Sequence, residues 1–167
     1  MSLDKFYAPG FDTYITPQRT MKAIVTVEPF QEEDIDNPTF VFTRGKSGRI
    51  NLPGGRVEKG ETDKKAFIRE IKEELGIDLE EEDIPNELFD HTGEVADGKL
   101  AEWVLRHIEI ASDLPLQCTD GETEALRATL DQLTDPRERY LEAMSAMALF
   151  SLNKFLDLPN YTRNSRN

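Results

Sequence analysis

Gly55-Arg56-Val57-Glu58-Lys59-Gly60-Glu61, followed by Thr62 to Ile68 and then by Arg69-Glu70-Ile71-Lys72-Glu73-Glu74-Leu75-Gly76-Ile77, is the stretch on which the reading of this chain turns. Phe67, Ile71 and Leu75 recur at i, i+4 and i+8, an apolar stripe that predicts a helix packed on a core. The helix should open near Glu61 to Asp63, where acids suit the positive end of the helix dipole. Gly76 is a natural left-handed terminator, after which Ile77 can fold back on Ile71. Glu70, Glu73 and Glu74, at i, i+3 and i+4, then share one face beside the apolar stripe. Like charges so placed repel by a few tenths of a kcal/mol per pair, roughly. A hard divalent cation reverses that penalty, because Mg²⁺ takes oxygen ligands and shares them with substrate phosphates. A plain Glu- and Lys-rich surface helix is the other reading of such a composition.

Glycine, five residues, Glu61, seven residues, then Arg-Glu-aliphatic-x-Glu-Glu-x-Gly-aliphatic resembles the Nudix box, with every defined position filled from Gly55 to Ile77. The flanking segments fit looser family expectations from about Met21 to Leu133. The resemblance implies an α+β fold, a Nudix-type α/β/α sandwich around a mixed β-sheet. It implies hydrolysis of a nucleoside diphosphate linked to another group, with cleavage of a phosphoanhydride bond. By the same resemblance Glu70, Glu73 and Glu74 hold Mg²⁺ (Mn²⁺ as the alternative ion), and the Gly54 carbonyl completes the metal site. Glu70 is also a candidate proton acceptor, Arg69 orients the carboxylates, and Glu61 buttresses the loop and the helix start. Family members often recruit a further acid from a later loop. Glu122 is preferred here, with Glu124 and Glu102 as alternatives, and Ala128 or Thr129 stands where family members frequently carry an aromatic residue.

Composition frames this reading. The 167 residues suit one domain, with an irregular lead-in over 1–20, the domain over 21–158 and a disordered tail over 159–167. A net charge of −13 argues against nucleic acid polymers and anionic membranes as partners, though not against a small nucleotide held by metal and a few local cations. Arg44, Lys46, Arg49 and Arg56 form the local basic cluster, placed just upstream of and within the box. They are candidates for substrate phosphate steering. The single cysteine, Cys118, reads as a packing residue and excludes an intrachain disulfide. With neither a signal peptide nor a long apolar run, the expectation is a cytoplasmic protein. His91 and His107 have no Ser or Cys partner at useful spacing and read as structural.

Along the chain, Met21 to Val27 and Thr39 to Thr43 predict strands, and Pro53-Gly54 suits the centre of a type II turn. Residues 87–98 and 99–110 predict a hairpin turning at Ala96-Asp97-Gly98, with apolar groups on both faces from Trp103 to Ile108. Asp135-Pro136-x-Glu138 predicts the start of the last helix, whose buried side is Leu141, Met144, Ala148, Leu152 and Phe155.

Leu52-Pro53-Gly54-Gly55 resembles the lead-in of nucleoside-triphosphate and ADP-sugar enzymes of the family, so the function expected is Mg²⁺-dependent cleavage of such a nucleotide. The alternatives are a non-catalytic nucleotide-sensing Nudix domain and an isoprenoid-diphosphate isomerase on the same fold. Family members are often dimers, which adds a homodimer to the expectations.

Overall fold

The structure, a computed structural model, describes residues 6–7, 14–15, 18–28, 36–94, 100–121 and 123–158. Its centre is a mixed sheet. Strand β3 (Gln18–Val27) runs parallel to β7 (Leu100–Ile110) over ten residue pairs, from Gln18 opposite Ala101 to Val27 opposite Ile110. On the far side of β7 lies antiparallel β6 (Phe89–Glu94). On the other side of β3 lies antiparallel β4 (Thr39–Arg44), which in turn pairs with β5 (Ile50–Asn51) and with β8 (Glu124–Thr129). Two further short strands, β1 (Phe6–Tyr7) and β2 (Tyr14–Ile15), pair with each other within the lead-in that the sequence reads as irregular. Aromatic and β-branched residues suit strand geometry even over so short a length.

Alternation along the central strands gives the sheet two apolar faces. Met21, Ala23 and Val25 of β3 and Val104, Ile108 and Ile110 of β7 face the box helix α1 (Asp63–Leu75), which buries Ala66, Phe67, Ile71 and Leu75 against them. Ile24, Ala101, Trp103 and Leu105 face the other way and pack on α4 (Ala146–Leu156) through Ala148, Leu152 and Phe155. The result is the α/β/α sandwich expected from the resemblance. No helix among the described residues is long and apolar enough to cross a membrane.

The box helix has the ends its sequence predicts. Thr62 Oγ1 accepts the Lys65 N–H at the N-terminus. At the other end Gly76 takes a left-handed φ of 72°, and a Cβ there would press on the Gln117 carbonyl. The predicted turn at 96–98 lies outside the described residues, as does the tail from 159.

The C-terminal region departs from expectation. Residue 124 to 129 is a strand, and Thr129 then caps a short helix α2 (Leu130–Thr134) by a capping box with Gln132. Asp135 ends that helix in extended geometry, as a residue before proline prefers, instead of opening the last one. Its carboxylate binds Arg137 instead. After the one-turn α3 (Tyr140–Ala143), entered through Arg139 at φ 57°, Ser145 caps α4 by accepting the Ala148 N–H. The anchor is non-local: the Ser145 N–H donates to the Ile50 carbonyl, and Met144 bridges Ile50. Leu141, expected inside, is exposed, while Met144, Ala148, Leu152 and Phe155 are buried.

Candidate active site

The segment from Leu52 to Val57 is zipped onto β3. Met21 and Ala23 donate to the Gly55 and Pro53 carbonyls, and Val57 donates to Arg19. This lays Gly54 and Gly55 beneath the carboxylate face of α1. Gly54, at φ 127°, lies so close to β3 that a Cβ would overlap the Met21 carbonyl oxygen. Gly55 is equally constrained, but by a side chain: a Cβ would fall 2.5 Å from Glu70 Oε2 and nearer still to Oε1. The two glycines therefore leave room for a strand on one side and a carboxylate on the other.

Arg69 organises the acids. Its Nε and Nη2 donate to the two oxygens of Glu61 at 2.9 and 3.0 Å, and Nη2 also reaches the Arg56 carbonyl. Nη1 donates to Glu70 Oε1 at 2.6 Å and lies 3.5 Å from Glu73 Oε2. Glu61 in turn accepts the Glu58 N–H, so it ties the loop to the helix as the resemblance implies. The Arg69 guanidinium, with this backbone bond, holds the Glu61 carboxyl below the usual carboxylate range.

Glu74 faces inward and accepts the Gly54 N–H at 2.7 Å. Burial pushes its carboxyl up to about 7, opposed by the Lys22 charge and the Gly54 N–H and reinforced by Glu70 and Asp120. The Gly54 carbonyl, assigned by resemblance to a metal, accepts the Lys22 ammonium at 2.7 Å. Among the described residues, no three acidic, His or Cys side chains close around one point as a ready metal cage. Glu70 Oε2 and Glu74 Oε1 nevertheless carry no donor from the described protein, and Glu73 meets only Arg69. These oxygens, on one helix face over a glycine that makes room for Glu70, fit a hard divalent cation by chemistry.

A second loop fastens the end of α1. Thr119, Cys118 and Gln117 donate to the carbonyls of Glu73, Glu74 and Leu75 respectively, groups that a helix end otherwise leaves bare. Cys118 thus has a bonding role in the loop. Beyond it, Asp120 lies close enough to act on the Glu74 charge and is fixed by the Thr123 N–H and hydroxyl. Glu122 lies outside the described residues. Glu124 starts β8 opposite Arg44, and Glu102 is paired with Arg19 at 2.9 Å.

Of the basic cluster, Arg56 lines a cavity of about 770 Å³ together with Lys22 and Gly55. Arg44, Lys46 and Arg49 belong to the β4–β5 hairpin and do not line it. The cavity's far wall is aromatic. His91 stacks on Trp103, ring centres 6.1 Å apart, and Phe150 lies 4.4 Å from the same imidazole. Sequence reading misses Lys22, Asp120 and this aromatic wall. The one available signal is that a hairpin of the predicted register sets His91 against Trp103. His107, by contrast, bonds Thr26 Oγ1 and packs on Phe155, a structural role.

The sequence profile of the NUDIX domain matches residues 21–148. Among curated proteins, "Putative 8-oxo-dGTP diphosphatase 2" of Mycobacterium tuberculosis is 52% identical over 33 residues, 20% of this chain, and the chain spans only 23% of that relative's length. The NUDIX hydrolase from Nitrosomonas europaea superposes with a TM-score of 0.62 at 18% identity, covering 84% of this chain and 88% of that one. The NUDIX domain of Shewanella oneidensis NrtR, solved with ADP ribose, also gives 0.62, at 13% identity over 89% of this chain and 90% of that one. At such identities the two structures share the fold with this chain. The profile match, which spans most of the sequence and includes the filled box, shows that the chain belongs to the Nudix family.

Proposed function

We propose that this protein is a Mg²⁺-dependent pyrophosphohydrolase, with Mn²⁺ as the alternative ion. Its substrate is a nucleoside triphosphate or a nucleoside diphosphate derivative such as an ADP-sugar. The observation that carries this reading is continuity. The cavity lined by Trp103, His91 and Phe150 is also lined by Lys22, Gly55 and Arg56; Gly55 abuts Glu70 and the adjacent Gly54 N–H binds Glu74, so the carboxylates adjoin the cavity without lining it. An aromatic wall suits a stacked base, and a volume of about 770 Å³ suits a ligand of nucleotide size.

Glu70, Glu73 and Glu74, with the Gly54 carbonyl, would hold the ion, which would supply charge neutralisation on phosphate oxygens and an acidified water. The chain's residues do the rest. Arg69 fixes Glu70 and Glu73 in orientation while drawing its own support from Glu61. Arg56, exposed at the cavity's edge, meets the polyphosphate, and the hairpin cations Arg44, Lys46 and Arg49 add to the local positive field. Glu70 is the candidate proton acceptor. Asp120, by its nearness to Glu74, joins Glu122 as a candidate acid from the late loop. The working unit is residues 21–158, whose core runs from Met21 to Phe155. The same proposal sets the protein in the cytoplasm, with a homodimer as one assembly to test; a net charge of −13 disfavours nucleic acid polymers and anionic membranes as partners.

The test is phosphate or pyrophosphate release from a nucleotide panel with Mg²⁺, using ¹⁸O-water to locate the attacked phosphorus. Turnover should vanish in Glu73→Gln and Glu74→Gln with the fold intact. Tight nucleotide binding without turnover across the panel would make this a sensor. Conversion of an isopentenyl diphosphate without anhydride cleavage would make it an isomerase.

A further inference from the structure

Thr20, on β3, is 8% exposed and lines the cavity. Among the described residues it is the one buried polar side chain without a hydrogen-bond partner. Thr26 Oγ1 bonds His107, and Thr43 Oγ1 donates to the Asn51 carbonyl. Ser151 Oγ meets Met147 Sδ, and the Arg106 guanidinium donates to the Pro85 carbonyl. A buried hydroxyl left unpaired is costly, so Thr20 Oγ1 is a ready partner for a polar group of a ligand. Its place in the sheet says which group. Arg56 bridges Thr20, Thr20 lies opposite Trp103, and Trp103 lies opposite His91. These four residues form one row across the sheet, and all four line the cavity. At about 4.8 Å per strand the row runs about 14 Å. One end lies at the box and the other is aromatic.

We propose that Thr20 is a specificity-determining residue whose hydroxyl bonds a ribose hydroxyl of the bound nucleotide. This rests on the reading given above, with the polyphosphate at Arg56 and the base on the aromatic wall. A nucleotide is ordered phosphate, sugar, base, and the row is ordered Arg56, Thr20, Trp103, His91. The sugar therefore comes to rest over Thr20, one strand from Arg56 and one strand from Trp103. Oγ1 can donate to a sugar hydroxyl or accept from it, and can do neither with a deoxy carbon. A site that buries a polar group for a substrate hydroxyl rejects the analogue lacking it, because the protein's own group is then left unpaired. The 2′ and 3′ hydroxyls share this chemistry, and the two deoxy analogues separate them. Base identity is read less strictly here, since every base offers a ring face to the wall.

The experiment compares ATP with 2′-deoxy-ATP and 3′-deoxy-ATP, and GTP with the same two analogues, on the wild type, Thr20→Val and Thr20→Ser. KM and kcat are measured with Mg²⁺, and Kd by calorimetry. Valine keeps the shape and removes the hydroxyl, whereas serine keeps the hydroxyl. In the wild type at least one deoxy analogue should show a KM or Kd about tenfold above that of its parent, with either base. That ratio should fall to about one in Thr20→Val and be retained in Thr20→Ser. Thr20→Ala, which adds no atom, carries the same comparison should Thr20→Val fail to fold. Equal values for the parents and both analogues in the wild type, a result that needs no variant, overturn the proposal. So does a ratio that persists once the hydroxyl is removed, which marks Thr20 as a packing residue. Turnover without sugar preference overturns this assignment alone. Binding with the preference but without turnover supports it while overturning hydrolysis. Neither binding nor turnover of any of these nucleotides overturns both.

Discussion

Adding one methyl group at Gly54 or at Gly55 should separate two kinds of damage. Gly54 sits at φ 127°, and its Cβ would meet backbone on β3, with Met21 C at 2.9 Å and Lys22 Cα at 3.0 Å. Strain at such a φ costs about 2 kcal/mol, and forcing the central strand to shift costs about 2 kcal/mol more. At about 3 °C per kcal/mol for a chain of this length, Gly54→Ala should lower Tm by about 12 °C. Gly55 has an ordinary φ, and the three atoms nearest its Cβ would all belong to the tip of Glu70, a side chain that can turn away. The displaced rotamer costs about 1 kcal/mol, and the stiffer unfolded chain returns about 0.7 kcal/mol, so Tm should move by less than about 3 °C. To restore an ordinary contact of at least 3.4 Å from the 2.5 Å found, Glu70 Oε2 must retreat. That retreat is roughly 1 Å, enough to cost about 100-fold in kcat. Thermal unfolding and nucleotide turnover with Mg²⁺, measured side by side, decide the matter. Full turnover in a well-folded Gly55→Ala would show that Glu70 does not work from the place seen here. A Tm loss in Gly55→Ala as large as in Gly54→Ala would refute the distinction between a backbone and a side-chain neighbour.

Other perturbations have equally definite signs. Phe150→Ala removes a partly exposed ring from the cavity wall; KM for a nucleotide should rise about tenfold with Tm nearly unchanged, since one stacking contact is worth about 1–3 kcal/mol. An unchanged KM would place the base elsewhere. Burial lowers the His107 pKa from its ordinary value of 6.5, with Glu109 opposing, so the unfolded chain binds the proton more readily. Stability should therefore fall as pH drops below about 6.5, and a denaturation series in His107→Gln should lose that part of the slope. Glu61 shifts downward, chiefly through its bond to Arg69, and contributes stability above its unfolded pKa that is lost as pH falls through the folded one. Arg69→Gln should thus raise the midpoint of acid unfolding and also depress turnover. An acid transition identical to that of the wild type would mean the clamp is not formed in solution.

The parts of the molecule legible in the sequence are those written locally. The box helix carries its apolar stripe, its left-handed stop at Gly76 and its three glutamates within one short segment, and all appear as read. The Glu61–Arg69 tie spans only eight positions. Strand β8 is less legible, because Glu124-Ala-Leu-Arg-Ala-Thr129 alternates weakly and is a strand chiefly through pairing with β4. The last helix went astray for a similar reason. Asp135-Pro136-x-Glu138 has a helix-start signature, but the chain is anchored to Ile50 only at Ser145, so the helix begins there. Lys22 reaches a carbonyl 32 residues away, and Asp120 is brought to Glu74 by the bonds of the 117–119 loop. No local pattern announces either one.

The parallel ladder between β3 and β7 has a consequence for how the chain is made. Strand β3 leaves the ribosome before its partner, and its longest hydrogen-bonding edge is complete only when Ile110 has emerged, some eighty residues later. At about 5–20 residues per second that is an interval of about 4–16 seconds, during which an apolar strand has one open side. Closure of the central sheet thus depends on a late event, and a nascent chain stalled before Leu100 would expose the open edge of β3 to chaperones.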